Sequence, residues 1–105
     1  GADGASLQNN TTGSYNTAIG HRALQANTTA SNNTAVGYQA GYSSVTGTRN
    51  IFVGYQAGYD VQKDSSIAIG YQAAKSQQGT QSIAIGYQAG QTSQLTQSIA
   101  IGFGS

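Results

Sequence analysis

The chain has 105 residues with four basic and three acidic side chains, a formal net charge of +1 and 15 glycines, which bounds it at one ordinary domain. Forty-three positions are Ser, Thr, Asn or Gln, and without a cluster of Lys or Arg there is no electrostatic footprint for a nucleic acid or an anionic membrane surface. The absence of Cys excludes disulfides and thiolate metal sites, and no apolar run approaches the roughly 18 residues of a membrane span.

The start at Gly1 has neither Met nor the charged and apolar regions of a leader, so the sequence reads as a piece of a longer protein. Residues 1–13 read as a lead-in or degenerate first coil, because "LQNNTTGSYN" from Leu7 resembles "LQANTTASNN" from Leu24. Residues 14–105 read as one domain built from a repeat. A short phrase recurs along them as "TAIGH" from Thr17, "TAVGY" from Thr34, "IFVGY" from Ile51, "IAIGY" from Ile67 and again from Ile83, and "IAIGF" from Ile99. Its glycines, Gly20, Gly37, Gly54, Gly70, Gly86 and Gly102, are spaced by 17, 17, 16, 16 and 16 residues. So polar a composition would ordinarily stay disordered, because it buries too little apolar surface to offset chain entropy. The regularity and the absence of Pro argue for order instead.

A period of 16 or 17 is too short for helical-pair repeats and fits one coil of a β-solenoid. Each coil is predicted to hold two short strands, one at the "SIAI" position and one over "YQA" and the residues that follow. The β-branched residues favour strand, and the Gly, Asn, Ser and Thr between them favour turns. Period-two alternation separates two faces. The larger residues, Ile19, Val36, Val53, Ile67, Ile69, Ile83, Ile85, Ile99 and Ile101, are expected to point into the coil as the core. Ala18, Ala35, Ala68, Ala84 and Ala100, interrupted by Phe52, are expected on the outer face, covered by another copy of the chain. Phe52 and the nearby Asp60, Lys63 and Asp64 suggest a local widening or a partner contact at that coil. The recurring glycines are expected at turns needing positive φ or leaving no room for a Cβ. His21, Tyr38, Tyr55, Tyr71, Tyr87 and Phe103 are expected to stack as a column, and Gln39, Gln56, Gln72 and Gln88 to form an amide ladder.

The "SIAIG" phrase at Ser66, Ser82 and Ser98, in its Gly, Ser, Asn and Thr background, resembles the head repeat of YadA-like trimeric autotransporter adhesins. The longer "NTAVGYQAGY" from Asn33 resembles repeats in tail fibres of phages and large viruses. The resemblance covers roughly residues 14–105. It implies an all-β, left-handed parallel β-roll, three chains associating in parallel as a homotrimer, and attachment to a host-surface protein or glycan. It also implies an extracellular location, on a bacterial outer membrane adhesin or a virion tail fibre. No neck, heptad stalk or membrane anchor accompanies it in this sequence.

The residues that carry chemistry elsewhere are scarce here. His21 is the single histidine, so no catalytic diad or histidine metal cluster can form within a chain. Asp3, Asp60 and Asp64 are the only carboxylates. Asp60 and Asp64 share one turn that could in principle hold Ca²⁺, although a solvated turn is favoured. No glycine-rich phosphate motif precedes a helix, and Arg22 and Arg49 read as solubilising charge. No enzyme activity, cofactor, metal or membrane insertion is expected. The leading expectation is a rigid structural and adhesive module with Tyr42 and Tyr59 as candidate ligand contacts. The alternatives are an ice-binding solenoid, for which regular Thr-x-Thr columns are lacking, and a purely architectural spacer.

Overall fold

A computed structural model describes residues 5–60, 63–76, 79–92 and 96–105; Asp3 lies outside them. Within them the chain is all-β. The strands are β1 (Thr17–Ile19), β2 (Thr34–Val36), β3 (Ile51–Val53), β4 (Ile67–Ile69), β5 (Ile83–Ile85) and β6 (Ile99–Ile101). They form one parallel sheet in sequential order. The register stacks equivalent residues directly: Thr17 on Thr34, Ala35 on Phe52, Ile67 on Ile83. The repeated phrase therefore sets the coil of a parallel β-solenoid, whose principal extents are 36 × 21 × 17 Å.

Among the described residues each coil contributes one strand to this sheet, not the two that the repeat predicts. A strand is three residues long because its neighbours break extended geometry on both sides. Two positions before it stands a residue with positive φ, such as Arg49 at 57° or Gln81 at 59°. After it comes the repeat glycine, such as Gly70 at 128°, a conformation few side chains tolerate. The glycine also stacks on its successor, so that a Cβ on Gly70 would lie 2.6 Å from the Gly86 carbonyl oxygen. Both reasons expected for the glycine hold here. The "YQA" segment then turns instead of extending, closed by the Ala73 N–H donating to Gly70 O at 3.2 Å and its equivalents in other coils. These turns stack through backbone hydrogen bonds of their own, among them Gly58 N–H to Ala73 O at 2.9 Å and Ala74 N–H to Ala89 O at 2.8 Å.

The tight turn decides which strand face is inside, and it reverses the sequence expectation. Ala35, Phe52, Ala68 and Ala84 are fully buried within their own chain, and Ala18 and Ala100 pack against the same cluster. Opposite them, Ala23, Ala40, Ala57, Ala73 and Ala89 line the turn wall, also fully buried. Alanines of both walls belong to one buried cluster, so small side chains fill the space between them. Ile19, Val36, Val53, Ile67, Ile69, Ile83, Ile85, Ile99 and Ile101 are therefore not the core, and point away from it. The alanine column cannot be an interface, because the chain itself covers it. Phe52 fits because Gly41 and Gly58 leave it room: a Cβ on either would lie 2.6 Å and 2.3 Å from its ring. The ring is wholly buried in its own chain, so it makes no partner contact.

Candidate functional site

The outer face of the sheet carries two columns. One runs Thr17, Thr34, Ile51, Ile67, Ile83, Ile99, and the other Ile19, Val36, Val53, Ile69, Ile85, Ile101. None of these side chains is buried. Even in the middle of the stack, Ile51 and Ile69 keep 39% and 36% of their surface exposed, while the end residues Ile99 and Ile101 keep 68% and 64%. The strip becomes more apolar along the chain, since threonines occupy one column in the first two strands and isoleucines thereafter. An exposed apolar strip of this continuity marks an interaction surface.

Two columns flank the strip. On the C-terminal side, beyond the repeat glycine, the aromatic rings stack as predicted: His21 on Tyr38 at 5.5 Å, Tyr38 on Tyr55 at 5.3 Å, and the column continues to Phe103 at 5.0–5.1 Å spacing. Interplanar angles of 3–11° mean that ring faces contact each other while edges and hydroxyls stay outside. On the other side, Asn32, Arg49, Ser65, Gln81 and Gln97 occupy equivalent positive-φ positions. Arg49 donates from Nε to Ser65 Oγ at 3.3 Å, and Gln97 from Nε2 to Gln81 Oε1 at 3.1 Å.

The predicted glutamine ladder forms. Gln56 donates to Gln39 Oε1 at 2.8 Å, Gln72 to Gln56 at 3.0 Å and Gln88 to Gln72 at 3.1 Å. All four residues hold φ between 52° and 55°, so the ladder is anchored on strained turns. A second ladder, absent from the sequence reading, lies inside. The Asn33 N–H donates to Asn16 Oδ1 at 2.9 Å, Asn50 N–H to Asn33 Oδ1 at 2.9 Å and Ser66 N–H to Asn50 Oδ1 at 2.8 Å. Asn33 also donates from Nδ2 to Gly47 O at 2.8 Å, tying the strand entrance to the turn that precedes the next coil. Its signal was the Asn that stands just before each of the first three strands, replaced by Ser66, Ser82 and Ser98 afterwards.

Tyr42 and Tyr59 stack on one another at 5.0 Å and are half-buried, so each offers one ring face at most. Asp64 does not stand free: its Oδ1 accepts from the Thr48 N–H at 2.8 Å. Among the described residues no group of three or more His, Cys, Asp or Glu could hold a metal ion, and no helix is long and apolar enough to cross a membrane. Fold and surface together define a parallel β-solenoid that keeps alanines inside and carries its large aliphatic residues outside. No family model matches the chain, and no curated protein or solved structure does either.

Proposed function

We propose that this chain is a head or shaft module of an extracellular surface fibre, in which three copies associate in parallel through their isoleucine strips and present a rigid surface for attachment. The observation that supports this reading is the strip itself. A solitary chain would leave it in water over every strand, whereas burying one Ile side chain fully contributes about 1.5–3 kcal/mol. Three strips meeting around an axis parallel to the solenoid would supply the thick apolar core that the alanine interior lacks. The left-handed β-roll of YadA-like adhesin heads, which the repeat wording resembles, belongs to this same reading. Three identical outer surfaces would convert weak contacts with a host protein or glycan into avidity. Tyr42 and Tyr59 are the aromatic pair offered to such a ligand.

Mass determination in solution tests the association. The expected result is a trimer, and a monomer at micromolar concentration overturns it. Two adjacent substitutions test the assignment of faces: Ile69→Asp releases monomers that keep their β circular dichroism, whereas Ala68→Asp abolishes the fold. Unfolding by both, or by neither, contradicts the assignment. Attachment is tested by adherence of beads carrying the protein to cell monolayers and matrix proteins, with the Tyr42→Ser, Tyr59→Ser double variant expected to adhere less.

A second reading uses the same face. Thr17 stacks in register on Thr34 at the flat outer surface, an arrangement suited to ordered water. The remaining strands present Ile in that column, which favours sister chains. Thermal hysteresis by the wild-type protein would support the ice-binding alternative.

A further inference from the structure

We infer that, in the assembled molecule, the polar column of one copy lies level with the tyrosine column of the next, so that Arg49, Ser65 and Gln81 hydrogen-bond the hydroxyls of Tyr55, Tyr71 and Tyr87 across the interface. This rests on the parallel association proposed above and adds the pairing that sets its register. The tyrosine faces are spent on their own column, at 5.0–5.1 Å from Tyr55 through Tyr87. Only ring edges and hydroxyls project, with 42–45% of each residue exposed. A hydroxyl covered by a partner needs a hydrogen bond. Stacking does not require it, because Phe103 continues the column at 5.0 Å and 3° without one.

The opposite edge of the strip supplies the partners. Arg49 uses Nε on Ser65, which leaves both terminal guanidinium nitrogens as donors. Gln81 accepts at Oε1 from Gln97, which leaves its amide nitrogen as a donor. In each coil the polar residue precedes its tyrosine by six positions, with the strand between them: 49 and 55, 65 and 71, 81 and 87. Within a chain the two columns therefore stand at opposite edges of the strip. Rotation about an axis parallel to the solenoid preserves height, so each polar residue of one copy meets the tyrosine of the equivalent coil in its neighbour. The occupant is another copy because a partner must repeat with the coil to satisfy every rung. An antiparallel pair, related by a two-fold axis across the solenoid, would set polar column against polar column and tyrosine against tyrosine.

Double-mutant cycles on association test this. Dissociation constants are measured by sedimentation equilibrium for the wild type, Arg49→Ala, Tyr55→Phe and the double variant. A second cycle combines Arg49→Ala with Tyr87→Phe, two coils away. The expected result is a coupling of roughly three- to tenfold per interface in the level pair, and additivity within about twofold in the offset pair. Tyr55→Phe keeps the stack, as Phe103 shows, so loss of folding does not obscure the result, and circular dichroism checks this. Additive behaviour in both cycles with the oligomer intact overturns the pairing and leaves parallel association standing. Coupling in the offset pair alone indicates another register and also overturns it. A monomeric wild type removes both readings together.

Discussion

A methyl group added at Gly58 would come within 2.3 Å of the Phe52 ring, and at Gly41 it would meet both Phe52 and Leu24, at 2.6 Å and 2.9 Å. The largest residue in the core is thus held between two coils that each surrender a side chain: its own at Gly58 and the preceding one at Gly41. Both glycines also have φ near +60°, so an alanine would carry backbone strain as well as a clash. Gly58→Ala is expected to lower stability by about 2 kcal/mol or more. Phe52→Ala is expected to cost about 3–5 kcal/mol through the cavity it leaves. Because the ring and the added methyl compete for one space, the double variant should lose less than the sum. Chemical denaturation at one fixed protein concentration reads all three, and strict additivity would show that the glycines do not serve the ring. Sequence alone marked Phe52 as the exception in its column. It did not show that Gly41 and Gly58 were its counterparts, since the link is across the coil and not along it.

At the scale of the strand and its turns, each element is too short to be stable by itself and is held by ladders running along the solenoid. Isolated parallel strands of three residues bury almost nothing, so buried hydrogen bonds carry the specificity. Asn33 joins β2 to β3 by accepting from the Asn50 N–H and donating to Gly47 O. Asn33→Ala leaves both buried groups unpaired, at about 1–3 kcal/mol each. The expected result is a marked fall in the denaturation midpoint together with faster exchange of the Asn50 amide. An unchanged exchange rate there would show that the side chain does not protect that bond. The period, the aromatic column and the glutamine ladder were legible because each depends only on which residues recur at the coil spacing. The direction of the faces was not, because alternation distinguishes two sides of a strand without saying which is inside. Choosing the larger side chains for the interior works where opposite walls stand about 10 Å apart, as in packed sheets. Here the turn after Gly70 brings Ala73 into one buried cluster with Ala68, so small side chains fill the interior. The readable clue was alanine at both the strand centre and the third position of "YQA", two small walls that fit one another.

Across the whole molecule, the uniform coils and the one tied group of coils respond differently to a change of length. Removing residues 66–81 joins Ser65 to Ser82 in the same register, and should shorten the stack by about 4.8 Å while preserving the fold. Removing residues 34–50 also keeps the phrase in step, yet it deletes Gly41 and sets Leu24 against the ring of Phe52. That variant should be destabilised by about 1–3 kcal/mol from overpacking, and equal denaturation midpoints for the two deletions would contradict it. The repeat glycines show the other side of this modularity. Each repeat glycine from Gly20 to Gly86 faces the carbonyl of its successor in the same way, so one uniform coil can stand in for another. Natural variation in such a protein can therefore act like a ruler with removable graduations: reach is adjusted in whole steps among the uniform coils, and the stretch around Phe52 keeps a fixed number of marks.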